Sequence, residues 1–150
     1  MRFVRPIGIF LLVFLALGAF VGAVPMMTHP LSNQWGLMPV SLLQYSPFSS
    51  FLIPGILLLA SNGLLALWVL WLVLRRKPRH GLWTVFQGCV LLGYLSVECW
   101  LLRVVSWPHY MYGAVALTLM VCGLAMRHEP ETAQPASGHA AGPASRHAGI

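Results

Sequence analysis

The sequence predicts an all-α protein: a four-helix transmembrane bundle with a structured outer loop and a disordered C-terminal tail. Three observations predict it. First, 58% of the 150 residues are hydrophobic and only 8% are charged, whereas soluble domains carry roughly 25% charged residues. So few charges cannot build a water-facing surface. Second, four apolar runs are each long enough to cross a bilayer. Third, the basic residues gather at the ends of those runs, where they set orientation.

The expected spans are Ile7–Val24, Phe51–Leu74, Leu82–Leu102 and His109–Met126. At 1.5 Å per residue they reach about 27 to 36 Å, against a hydrocarbon core of ~30 Å. The first and last are the shortest, so their ends are expected to extend. Arg2 and Arg5 precede span one, Arg75, Arg76, Lys77 and Arg79 fill the link between spans two and three, and Arg127 follows span four. Arg103 alone lies on the opposite side. The positive-inside rule therefore places both termini in the cytoplasm of a cell whose inner (plasma) membrane holds the chain. Aromatics agree, with Trp68, Trp71 and Trp83 at the inner boundary and Trp100, Trp107, Tyr110 and Tyr112 at the outer one. The net charge of +6 is thus accounted for by topology. No nucleic-acid partner is expected, and the partner the composition names is the lipid bilayer. A rival reading of the start is a signal peptide cleaved near Val21-Gly22-Ala23, but the apolar run is longer than the roughly 7–15 residues of a signal core.

The outer loop, residues 25–50, contains a candidate short helix over Pro39–Tyr45, with Trp35 as an interfacial anchor. Ser46-Pro47 reads as an N-cap followed by proline at the first helical position. Spans three and four, joined through Ser106-Trp107-Pro108, form an antiparallel hairpin, and the short RRKPRHG link makes spans two and three neighbours. From Arg127 to Ile150 the chain turns to Ala, Pro, Gly and Ser and lacks apolar periodicity, which predicts a disordered tail.

Glu98 carries the functional question. It is the only acidic residue before position 129. A charge at mid-span costs at least ~2.5 kcal/mol, but Glu98 lies roughly 6 Å below the outer end of span three. Two readings stand. One is a clamp, tying span three to the start of span two, where unpaired N–H groups and the hydroxyls of Tyr45, Ser46, Ser49 and Ser50 are available. The other is a proton-handling or cation-binding group. Arg103, five residues on, sits about 140° around a regular helix, so pairing with Glu98 requires the helix end to unwind. Pro54 offers an alternative partner. If span two starts near Ser46, Pro54 is interior and frees the Ser50 carbonyl; if it starts at Ser50, Pro54 costs little.

Gly18 and Gly22 form a GxxxG pair, which permits close helix contact within the bundle or with a second copy. Asn62 and Gln87 are expected to hydrogen-bond between helices. Cys89, Cys99 and Cys122 show no CxxC pairing and read as small buried hydrophobes. His29 and His109 share the outer side with Glu98 but lack metal-ligand spacing. No HExxH, nucleophile elbow or phosphate loop occurs, so no cofactor and no metal is expected.

The segment GLMPVSLLQYSPFSSFLIPGILLLASNG, Gly36 to Gly63, resembles the signature of a family of small uncharacterised bacterial four-span integral membrane proteins. Its core is Ser46-Pro47-Phe48 followed by Ile53-Pro54-Gly55. Glu98 late in span three and Tyr112-Gly113 after a short turn fit the same pattern, which covers most of Ile7 to Met126. Ser50 departs from it, standing where an acidic residue is expected in relatives. The resemblance implies four spans and no particular activity. The functional expectation is a non-enzymatic accessory or envelope factor, partnered by lipid and by a second copy or another membrane protein. The alternatives are a small oligomeric transporter coupled to protons or cations through Glu98, and a membrane enzyme with an outer-facing site at Glu98, His29 and His109.

Overall fold

In the computed structural model, residues 3–29, 47–103 and 105–127 are described. They form four helices: α1 (Val4–Thr28), α2 (Leu52–Leu74), α3 (His80–Leu102) and α4 (Trp107–Arg127). All four are long and apolar enough to cross a membrane, and no strand occurs among the described residues. The chain is a multi-pass membrane protein. The expected helix over Pro39–Tyr45, the Ser46 cap and the tail beyond Arg127 lie outside the described residues. Arg127 itself is the last residue of α4 rather than the first of a tail.

Three helices begin with proline in their first turn, for one reason. The first N–H groups of a helix have no intrahelical acceptor, so a residue without an N–H loses nothing there. Pro6 is third in α1 and the first closing bond runs from Ile7 N–H to the Phe3 carbonyl. Pro54 is likewise third in α2, with Gly55 N–H bonded to the Phe51 carbonyl at 2.9 Å. Pro108 is second in α4. This settles the alternatives for Pro54: span two does not start near Ser46, Pro47 lies outside the helix, and no interior carbonyl is orphaned for Arg103. Pro25 was expected to open the loop but sits inside α1, which continues to Thr28. Thr28 Oγ1 donates to the Val24 carbonyl at 2.9 Å and supports this last turn.

Lipid supplies no hydrophobic force between helices, so packing depends on close approach of small residues. The core joins Leu12, Leu15 and Ala16 of α1, Val69 and Val73 of α2, Leu91 of α3 and Leu119 of α4. Gly18 and Gly22 pack inside the bundle on different neighbours. A Cβ at Gly18 would collide with the Tyr112 hydroxyl of α4, and one at Gly22 would lie 3.2 Å from Leu58 of α2. Tyr112 is therefore half-buried against α1, stacked on Phe14 with ring centroids 6.0 Å apart, and is not a boundary anchor. The tightest seam joins α3 to α4. A Cβ at Gly123 would lie 2.6 Å from the Gly81 carbonyl, and one at Gly88 2.8 Å from the Ala116 carbonyl. Among the cysteines only Cys122 is buried; Cys89 is exposed on the apolar flank of α3.

Arg5 corrects its expected role. It is not simply a flanking charge but the second residue of α1, donating to the carbonyls of Val73 and Leu74 at 3.0 and 3.1 Å. These are among the last carbonyls of α2, at the negative end of the helix dipole, and that of Val73 also accepts the Arg76 N–H at 3.3 Å. Arg5, the Arg75–Arg79 link and Arg127 thus share one end of the bundle. Trp68 and Trp83 meet edge to face there at 4.5 Å, and Lys77 lies 5.8 Å above Trp71.

Candidate functional site

The first turns of α2 lean on α1 rather than on α3. Gly55 makes this approach possible, since a Cβ there would lie 2.9 Å from the Met26 Cβ. The second half of α3 packs on α4 instead. Between the two pairs a cleft of about 470 Å³ remains at the end opposite the basic cluster. Phe51, Pro54 and Leu57 line one wall and Val90, Gly93 and Val97 the other. Leu57 and Val97 are more than half exposed, so the cleft opens sideways, where acyl chains lie. Its polar side chains are Glu98 and Tyr94, one turn apart on α3, and Ser61 of α2.

The Ser61 end coincides with a widened turn. Residues Leu59–Leu64 are π-helical, and the Leu65 N–H bonds to the Ala60 carbonyl, five residues back. In an α-helix Leu65 would serve Ser61. Here Gln87 of α3 donates through Nε2 to the Ser61 carbonyl at 3.2 Å and to Asn62 Oδ1 at 3.4 Å. Asn62 Nδ2 donates to Ser61 Oγ at 3.1 Å, and Ser61 Oγ to the Leu57 carbonyl at 2.7 Å. The interhelical hydrogen bonds expected of Asn62 and Gln87 are present, and the two side chains serve each other. The π turn they support was not expected, although Ser-Asn-Gly amid an apolar run marked the place.

At the other end, the ionisable partner of Glu98 among the described residues is on α4 rather than at the start of α2; Tyr45 and Ser46 of the expected clamp lie outside them. Glu98 Oε2 lies 3.8 Å from Nε2 of His109 on α4. Both side chains are largely buried, at 18% and 9% exposure respectively. His109 occupies the third position of α4 and reaches back to Ser106, the residue before the helix. The Ser106 backbone N–H donates to His109 Nδ1 at 3.2 Å, and Ser106 Oγ lies 3.0 Å from the same nitrogen. The Ser106 carbonyl, 3.3 Å from Nδ1, already accepts the His109 backbone N–H at 3.0 Å. This is half of a capping box, with an imidazole in place of the usual carboxylate or amide. A backbone N–H can only donate, so Nδ1 is an acceptor and the proton of the neutral ring sits on Nε2, facing Glu98. Sequence reading placed His109 near Glu98 but missed this pairing, because it depends on how α4 turns relative to α3.

The remaining candidates fall elsewhere. Arg103 ends α3 in the left-handed conformation at φ 51°, its N–H bonded to the Cys99 carbonyl at 2.9 Å. It is exposed. His29 is exposed at the end of α1 and does not line the cleft, so the three groups of the enzyme reading do not converge. No group of three metal-ligating side chains occurs among the described residues. In comparisons with known proteins, no family model, curated protein or solved structure matches this chain.

Proposed function

We propose that this protein is a non-enzymatic accessory or envelope factor of a bacterial inner (plasma) membrane, with both termini in the cytoplasm, that holds a membrane-resident apolar ligand between α2 and α3. One observation carries the reading: an apolar cleft of about 470 Å³ open to the side of the bundle, within the roughly 300–1,000 Å³ range of small-molecule sites. The gathering of Arg5, Arg75, Arg76, Lys77, Arg79 and Arg127 at one end supports the orientation. The family resemblance supports the bacterial setting.

A second reading, transport coupled to protons or cations, is favoured by the position of Glu98 on the cleft wall. It requires a water path to Glu98 and an oligomer. The largely apolar lining favours retention of a ligand over conduction.

The test fills the cleft. A Cβ at Gly93 meets nothing within 4 Å, so Gly93→Trp extends into open space. Native mass spectrometry of protein released from bilayers should show a single-chain species retained by the wild type and absent from Gly93→Trp. Equal retention by a folded Gly93→Trp protein rejects the reading. A cytoplasm-dependent fluorescent reporter fused after Ile150 tests the orientation, and a dark fusion rejects it.

A further inference from the structure

We propose that the cleft selects a single-chain amphiphile with a cationic ammonium head, the head against Glu98 and the chain running toward Ser61. This rests on the ligand-binding reading above and names the chemical class of the ligand.

Charge is the first argument. Glu98 is the only carboxylate among the described residues. Its one basic neighbour across the helix interface, His109, is anchored by the Ser106 N–H at Nδ1 and turns Nε2 toward the carboxylate from 3.8 Å. At 3.8 Å the Nε2 contact is also too long for a full hydrogen bond. The polar neighbour of Glu98 in the cleft on its own helix is Tyr94, and the opposite wall presents Phe51, Pro54 and Leu57 and no charge. Arg103 has its own contacts and does not line the cleft. A carboxylate in low dielectric is stabilised by a cation delivered along the cleft, and an anionic head would be repelled.

Shape is the second argument. The α3 wall runs from Val90 to Leu102, about 18 Å of helix, which is over half of a ~30 Å hydrocarbon core. A single alkyl chain lying along this wall replaces lipid contacts with protein contacts and brings its head to the Glu98 end. Tyr94, one turn below Glu98, offers an aromatic ring to the same head.

The experiment measures equilibrium binding of radiolabelled dodecyltrimethylammonium and of dodecanol, a neutral head on the same chain. The protein is held in nanodiscs of zwitterionic lipid at neutral pH. Wild type is expected to bind the cation more tightly than the alcohol. Glu98→Gln should weaken the cation by at least about tenfold, as loss of a Coulombic contact in low dielectric requires, and leave the alcohol within about twofold. Gly93→Trp should remove both, while Gly113→Ala, on α4 outside the cleft lining and with nothing within 4 Å of its added Cβ, binds as wild type. If Glu98→Gln leaves cation binding unchanged but Gly93→Trp removes both ligands, the cationic assignment is overturned and the cleft survives. If Gly93→Trp changes neither, the cleft reading itself is overturned. A variant that fails to fold loses the alcohol as well as the cation, so the alcohol arm of Glu98→Gln separates misfolding from lost charge recognition.

Discussion

His109 directs Nε2 at the Glu98 carboxylate from 3.8 Å while its Nδ1 accepts the Ser106 backbone N–H at 3.2 Å. One ring therefore serves two separate purposes, and these respond differently to substitution. Glu98→Gln keeps the shape of the side chain and removes only a long contact. It is expected to change stability by less than about 1 kcal/mol. His109→Leu removes the acceptor for Ser106 and is expected to cost about 1 kcal/mol more, the usual weight of a helix cap. Thermal unfolding in one detergent at neutral pH compares them. A loss above about 3 kcal/mol for Glu98→Gln would instead identify an ionised clamp.

The α3–α4 seam has no room for side chains at its glycines. Gly123→Ala sets a Cβ against the Gly81 carbonyl at 2.6 Å and Val85 at 2.7 Å. Backbone cannot yield as a flexible side chain can, so a loss of about 1–3 kcal/mol is expected. Gly93→Ala meets open space and should stabilise α3 by up to about 1 kcal/mol. Unfolding of the two variants under identical conditions checks the contrast, and equal effects would contradict it.

The π turn depends on Gln87. Gln87→Leu leaves the Ser61 carbonyl and Asn62 Oδ1 without the donor that α3 supplies. Interhelical hydrogen bonds in membranes average about 0.6 kcal/mol and reach about 1.7. The upper part of that range is expected here, because one amide serves two acceptors and the Gln87 and Asn62 side chains are fully buried. Hydrogen exchange should also speed up at residues 61–66 and stay unchanged in α4. Uniform exchange across the bundle would show that the amide supports no local structure.

Arg5 joins α1 to the end of α2. Arg5→Met keeps the aliphatic stem and removes both donors to Val73 and Leu74. About 1–2 kcal/mol of stability is expected to go, since two terminal carbonyls lose a charged partner. Both bonds come from the one atom Nη2, so Arg5→Lys should recover only part, because the shorter lysine stem places its nitrogen one bond nearer the backbone. Full recovery by lysine would mean that charge alone matters at this position.

Much of the framework was legible in one dimension. Apolar length alone marked all four spans, and the helices differ from expectation mainly by a few residues at their ends. The boundary errors share a cause. Pro25 was expected to open the outer loop, yet a proline near a helix end removes a single bond that local support can offset. Ser46-Pro47 looked like a cap, yet α2 starts at Leu52, with the same tolerance for proline in its first turn that Pro6 and Pro108 show. The candidate site was half legible. Glu98, His109, Asn62 and Gln87 stood out as polar groups in apolar runs, because such groups must find partners. Which partners they find was not legible.

The sequence by itself determined the number, length and order of the membrane helices and the end of the bundle that carries positive charge. These follow from composition along the chain, and neighbours in space are not needed to read them. Only the tertiary structure decided that Glu98 meets His109 rather than the start of α2, that Gly81 and Gly123 rather than Gly18 and Gly22 make the tightest seam, and that a cleft separates α2 from α3. The reason is the solvent. In water, an amphipathic stripe tells which face of a helix turns inward. In lipid, the buried Leu12 and the exposed Leu17 are chemically equivalent choices, so the rotation of each helix is set by how small residues fit across the interface.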